Sequence, residues 1–257
     1  MKTVSASALL LAGCLSLTSL KAQDNRATKQ NYLVKPEETE YWDPEVRVIT
    51  PGGAVGAAPS DAIVLFDGKN LDNWVTVKDG SPVKWELKDG AFSVVKGAGN
   101  ISTKQDFGDY QLHLEWRSPN EPETLKSQGK GNSGVFMQGM YEVQIMNSYQ
   151  NRTYRNGQAG SIYKQTAPLV NPSAKMSDWN VYDIFYTAPR FTQNGGVETP
   201  AYLTLVFNGV LVQNHTKIQG TTPYIGAPQN PVHGKGPISL QDHGNAVSYR
   251  NIWIREL

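Results

Sequence analysis

From Ala62 to Leu257 apolar and polar side chains tend to alternate with a period of two, and a 3.6-residue repeat is hard to find anywhere in the chain. In YQLHLEWR (110–117) the alternation sends Tyr110, Leu112, Leu114 and Trp116 to one face and Gln111, His113, Glu115 and Arg117 to the other. In YEVQIMN (141–147) it separates Tyr141, Val143 and Ile145 from Glu142, Gln144 and Met146. Further strand candidates are 62–66, 83–87, 91–95, 179–188, 202–207, 210–214, 237–241 and 247–257, with SGVFM directly before YEVQI. Asp67-Gly68, Asp89-Gly90 and Asn208-Gly209 supply turn chemistry between them. Many short strands without a strand-helix-strand rhythm predict an all-β domain, a two-sheet antiparallel β-sandwich or jelly roll.

The chain ahead of this domain has a different texture. Met1-Lys2 and the apolar or small run to Leu20 read as a signal peptide over 1–22, cleaved after Ala22, with lipidation of Cys14 in LAGC as the competing route. Either route predicts export to the periplasm or cell envelope, and membrane attachment only through a lipid on Cys14. Residues 23–60 are polar, then rich in Pro and Gly, and read as an extended arm or linker before a domain at 61–257.

Composition narrows the function. Cys14 is the only cysteine, so the exported domain carries no disulfide. Loss of residues 1–22 removes two Lys and no acid, taking the net charge of +1 to −1. Such a balance offers nothing to nucleic acid or to an anionic membrane surface.

Candidate chemistry gathers in three stretches. A Glu on an alternating strand is ordinarily a solvated outer-face residue, but the approach to Glu142, GNSGVF, brackets Asn132 and Ser133 with two glycines. Glycine within a strand pattern marks a bulge or a place where something comes close to the backbone. The loop 148–172 is long, aromatic, and dense in amides and cations, the chemistry that binds sugars through flat apolar faces and planar donors. Lys164 lies in it, and Trp179 just after it reads as core or as a stacking platform. In QDHG (241–244), His243 and Gln241 sit at a strand end. Arg117 ends its strand beside a polar loop and could hold a carboxylate or a sugar oxygen through its fork of donors, whereas His113 reads as part of a solvated outer face. The common zinc signatures H-x-H and HExxH are absent, and no dinucleotide fingerprint occurs.

The spacing around Glu142 invites comparison with laminarinase-type glucanases, which carry E-x-D-x-x-E. Here the positions are Glu142, Gln144 and Asn147, so this strand alone lacks the two opposed carboxylates of ordinary glycosidases. More extensively, FDGKNLDNW (66–74), KGNSGVFMQGMYEVQIMNSY (130–149), GQAGSIYKQ (157–165), FNGVLVQNHT (207–216) and GPISLQDHGNAVSYRNIWIREL at the C-terminus resemble the 3-keto-disaccharide hydrolase family. The resemblance spans residues 62–257 and implies a concanavalin-like jelly roll that cleaves 3-keto-glycosides. One position departs from it, Asn147, where the family usually has Asp.

The implied reaction is C2 proton abstraction, β-elimination of the aglycone and addition of water. Glu142, His243 and Lys164 are the catalytic candidates, with Glu142 or His243 as base. Arg117, Asn132, Gln144, Trp179 and Gln241 are the substrate-binding candidates. Lys164, Arg117 or a divalent metal cation would stabilise the enediolate, no metal ligands being identifiable from a motif. A separate oxidoreductase would supply the 3-keto sugar. Two other functions fit the residues: a non-catalytic carbohydrate-binding module, and an endo-β-glycosidase recruiting a second carboxylate such as Glu115.

Overall fold

The computed structural model describes residues 34–257. The leader, Cys14 and the first part of the arm therefore lie outside the described residues. The chain divides into two compact units at Arg47/Val48. In the described part of the first, Pro36–Glu38 forms one 3-10 turn. The second, 48–257, holds all the strands found among the described residues.

These are β1 (Ile63–Phe66), β2 (Trp74–Thr76), β3 (Glu86–Lys88), β4 (Ala91–Ser93), β5 (Ile101–Thr103), β6 (Tyr110–Arg117), β7 (Ser133–Met137) and β8 (Tyr141–Ile145), followed by β9 (Asn180–Thr187), β10 (Arg190–Phe191), β11 (Val197–Thr199), β12 (Tyr202–Phe207), β13 (Val210–Lys217), β14 (Ser239–Leu240) and β15 (Ser248–Glu256). The larger sheet runs β13-β12-β9-β6-β15-β4-β3, with β1 also on β15, and the smaller runs β2-β5-β14-β7-β8. The pairings within both sheets are antiparallel, giving the expected sandwich.

Local sequence explains the hairpins. Asp89-Gly90 joins β3 to β4 and Asn208-Gly209 joins β12 to β13, each with both residues at positive φ. That is the twist a two-residue hairpin requires, and Asn/Asp followed by Gly adopts it at little cost. Strands β2 and β5 were not apparent in the sequence, being three residues each.

Between the sheets lies one apolar core. Leu112, Leu114 and Trp116 of β6 meet residues such as Val135, Val143 and Ile145 of the smaller sheet within it. Trp116, Tyr182 and Phe207 pack edge-on or tilted, with centroids 4.7–6.0 Å apart. Each such side chain contributes roughly 1.5–3 kcal/mol on burial. The core leaves both sheets with polar outer faces.

The outer row of β6 corrects one expectation. His113 is 2% exposed, not solvated. Its Nδ1 lies 2.6 Å from Asp183 Oδ1, its ring stacks on Trp253 at 5.1 Å, and Gly56 of segment 48–60 closes over it. The Gly56 carbonyl accepts from Asn251 Nδ2 (2.9 Å) and Trp253 Nε1 (2.8 Å). Alternation placed His113 on the correct face, but a remote segment covers that face.

Candidate active site

The site is built on the outer face of the smaller sheet, where β7 and β8 pair with Phe136 opposite Glu142 and Gly134 opposite Gln144. Beside β8, segment 160–163 supplies what a neighbouring strand would. Gly160 and Tyr163 donate to the carbonyls of Gln144 and Glu142, and Gln144 N–H donates to Ser161 (all 3.0 Å). An otherwise open edge is thereby satisfied, and Tyr163 is drawn over the polar face.

Glu142 is held tightly here. Its N–H donates to Thr222 Oγ1 at 3.0 Å, and its carboxylate lies over Gly134, where a Cβ would collide with Oε1. The glycine singled out before β8 is therefore present because a carboxylate passes over it. Glu142 is 4% exposed and makes no ion pair among the described residues. The Gln144 amide, oriented with its nitrogen inward, donates to Glu142 Oε1 (3.0 Å) and to the Ser133 carbonyl (2.8 Å). One neutral donor does not offset the loss of water, so burial pushes the Glu142 pKa up to about 8. This is a carboxyl that can carry or accept a proton near neutrality.

A cleft of about 640 Å3 opens over Glu142. Tyr154, Tyr163 and Tyr224 wall it. The hydroxyls of Tyr154 and Tyr163 lie 2.8 Å apart, and the Tyr154 ring rests against Gly157 with no room for a Cβ there. Burial raises both phenol pKa values, so both groups stay protonated and able to donate. Across the cleft, Asn132 Nδ2 donates to the Gln128 carbonyl (2.8 Å). The Gln128 side-chain amide lies 2.8 Å from Gly157 O and 2.9 Å from Thr153 Oγ1, joining two loops.

Gln241 and His243 complete the lining. Gln241 N–H donates to Gly134 O at 3.0 Å, tying the strand end to β7. Asp242 accepts from Gly99 and Gly244, each at 2.9 Å, so the turn bearing the exposed His243 is pinned at both sides.

Thus the fold brings together Glu142, Asn132, Gln144, Gln241 and His243. Lys164 stands at the rim, donating to the Tyr224 carbonyl (2.7 Å) with its ammonium 4.3 Å from that ring's centroid. Arg117 and Trp179 do not join them. They lie together at the larger sheet, guanidinium 4.7 Å from the ring centroid, with Arg250 at 4.1 Å. Arg117 shares the outer row of β6 with His113, so the core lies between it and the cleft. Of the lining that sequence reading did not single out, Tyr154 and Tyr163 belong to the loop flagged as sugar-like, whereas Tyr224 and Gln128 come from stretches that carried no signal.

The donor set does not fit a protein-held divalent cation. Among the described residues Glu142 is the only carboxylate lining the cleft, and no three His, Cys, Asp or Glu side chains converge.

Comparison with known proteins identifies the family. Residues 61–255 match the family model described as a 3-keto-alpha-glucoside-1,2-lyase-like domain. The chain is 53% identical to a candidate glycosyl hydrolase from Parabacteroides distasonis ATCC 8503, whose crystal structure aligns over 87% of this chain and 97% of that one with a TM-score of 0.83. A second candidate glycosyl hydrolase from the same organism shares 24% identity over 76% of this chain and 99% of that one, with a TM-score of 0.53. A 3-keto-disaccharide hydrolase of Bacteroides thetaiotaomicron is 25% identical, over 77% of this chain and 80% of its own length.

Proposed function

The chain belongs to the 3-keto-alpha-glucoside-1,2-lyase-like family, and from that premise we propose that Glu142 cleaves 3-keto-glycosides by elimination and hydration. The protein is a carbohydrate-active, glycoside hydrolase-like enzyme. The finer reading is carried by one observation, a buried carboxyl without an ionic partner on the floor of a sugar-sized cleft.

A ketone at C3 acidifies the C2 hydrogen. Ionised Glu142 takes that proton, and the C2–H electron pair becomes the enediolate double bond while charge moves to the C3 oxygen. The pair then forms the C1–C2 double bond as the C1–O bond breaks, and the leaving oxygen collects a proton. Water adds at C1 and a proton returns to C2, so the net change is hydrolysis. Burial suits Glu142 to this, because a carboxylate with a raised pKa is a stronger base than an exposed one.

The phenols of Tyr154 and Tyr163 are donors placed to meet negative charge on the sugar. His243 is the candidate proton donor to the leaving oxygen. Asn132, Gln144 and Gln241 orient hydroxyls, while Lys164 positions Tyr224. The preceding oxidation at C3 falls to a separate oxidoreductase. A two-carboxylate glycosidase is disfavoured because Glu115 lies on β6, paired with Arg250 at 2.6 Å on the outer face of the other sheet.

Product analysis of a disaccharide and its C3-oxidised form, each with the protein and with Glu142→Gln, tests the reading. Cleavage of the oxidised sugar alone, lost in the variant, is expected. Cleavage of the unoxidised sugar would replace the proposal with conventional glycosidase chemistry, and binding of either sugar without cleavage would favour a binding module.

A further inference from the structure

A second cavity, of about 650 Å3, lies on the other side of segment 126–132 from the Glu142 cleft. The two share that segment as a wall: Gln128, Gly129 and Asn132 line the cleft, while Lys126 and Lys130 line the second cavity. Arg152 and Lys175 bring its lining cations to four, against Glu123 as its one carboxylate. None of these four cations forms an ion pair among the described residues. The nearby Glu121 is committed elsewhere, accepting from Gly131 N–H (2.6 Å) and Asn245 Nδ2 (2.5 Å).

Lys130 is only 9% exposed as a residue, and its ammonium, which makes no hydrogen bond among the described residues, reaches solvent. Asn147 Nδ2 is buried without any hydrogen-bond partner, although its Oδ1 accepts from Tyr149 N–H at 3.1 Å. An unmade buried donor is costly. An acceptor bearing negative charge in this cavity would give the Lys130 ammonium a partner.

We propose that this cavity is a second carbohydrate subsite that takes an acidic sugar, one bearing a carboxylate or a sulfate. Its volume exceeds what a bare oxyanion fills, and Tyr149, Asn120 and Asn151 in its lining add an aromatic ring and amides, the groups that contact a pyranose and its hydroxyls. Lys130 and Arg152 meet the charge. The assignment rests on the carbohydrate reading of the neighbouring cleft, but it is tested by binding without turnover, so it stands or falls separately from the elimination chemistry.

The experiment is calorimetric titration of the full chain with glucuronate, glucose 6-sulfate, glucose and inorganic sulfate at low and high salt. At least one acidic sugar should bind about tenfold or more tighter than glucose, and the affinity should fall with salt. Lys130→Gln and Asn147→Asp should each weaken it about tenfold, and the exposed pair Lys126→Gln/Arg152→Gln provides the same readout with little risk to folding. Glu142→Gln should leave it unchanged. Equal binding of glucose, binding of inorganic sulfate as tight as that of the acidic sugars (an adventitious ion only), or acidic-sugar binding abolished by Glu142→Gln but indifferent to the lysine variants would each overturn the proposal.

Discussion

The two sheets carry the same kind of polar outer row and put it to opposite uses. On the larger sheet His113 lies against Asp183, and Glu115 accepts from Arg250 Nε (2.6 Å) and Asn251 Nδ2 (2.9 Å). His113, Asn251 and Arg250 hold the Glu115 pKa down to about 2 despite partial burial. Burial pulls His113 downward, but Asp183 and Glu115 outweigh it and raise the imidazole to about 9. On the smaller sheet Glu142 is buried more deeply than Glu115 and has no such partner, so its pKa moves the other way. A buried charge whose partners are all present stays ionised and is costly to break; one left without partners is held at a cost, and it is there that chemistry is to be sought.

The contrast is broken most sharply at Glu142. Glu142→Gln is expected to lower kcat on the cleaved sugar by about 10³-fold, within the range for a lost general base. The same change should stabilise the protein in alkali. Because the folded pKa is raised, the native state holds the proton more tightly than the unfolded chain from about pH 4.5 to pH 8. Native stability therefore falls as pH rises through that window, by up to about 5 kcal/mol. Denaturant melts across pH should show this slope in the wild type and its loss in the variant. The kcat/KM profile should rise through about pH 8 as the base ionises.

Next in size is Gly134→Ala, which forces the carboxylate away from its seat over β7. Activity should drop by about 10²-fold, as for other small misplacements of a reacting group, with circular dichroism unchanged. An active Gly134→Ala protein would mean that the position of Glu142 is not critical.

The opposite pattern is expected at His113. His113→Gln should cost about 2–4 kcal/mol, since it leaves Asp183 without its cation and Glu115 with Arg250 alone, and kcat/KM should stay within about twofold of wild type. A histidine with a raised folded pKa contributes stability fully below about pH 6.5 and loses that contribution as pH climbs to about 9. The difference between variant and wild type should therefore be largest in acid and smaller above pH 9. A large loss of activity at unchanged stability would place His113 in the catalytic machinery instead.

The smallest effect should come from the rim. Tyr224, 68% exposed beneath the Lys164 ammonium, supplies an apolar face. Tyr224→Ala should raise KM by about three- to tenfold, the scale of one modest aromatic contact, with kcat little changed.

Much of this was legible in local sequence. The alternation of β6 and β8 sorted core from surface, Asp89-Gly90 and Asn208-Gly209 marked hairpins, and glycine beside an intrusive Glu pointed to Glu142 and to the close approach over Gly134. Less was legible where elements are short or partners remote. Two three-residue strands, β2 and β5, are too brief to show a period. Arg117 and Trp179 looked like sugar ligands by type, but they sit at the sheet facing away from the cleft.

What the sequence determined by itself was which side chains share a face, because a strand's period of two is a property of its own backbone. What covers each face was decided only by tertiary structure. Gly56 closes over His113, while Tyr163, Thr222 and Tyr224 arrive over Glu142 from two separate loops. Whether a polar row becomes a paired latch or a reactive cleft depends on those arrivals, because pairing and loss of water are set by groups far apart along the chain.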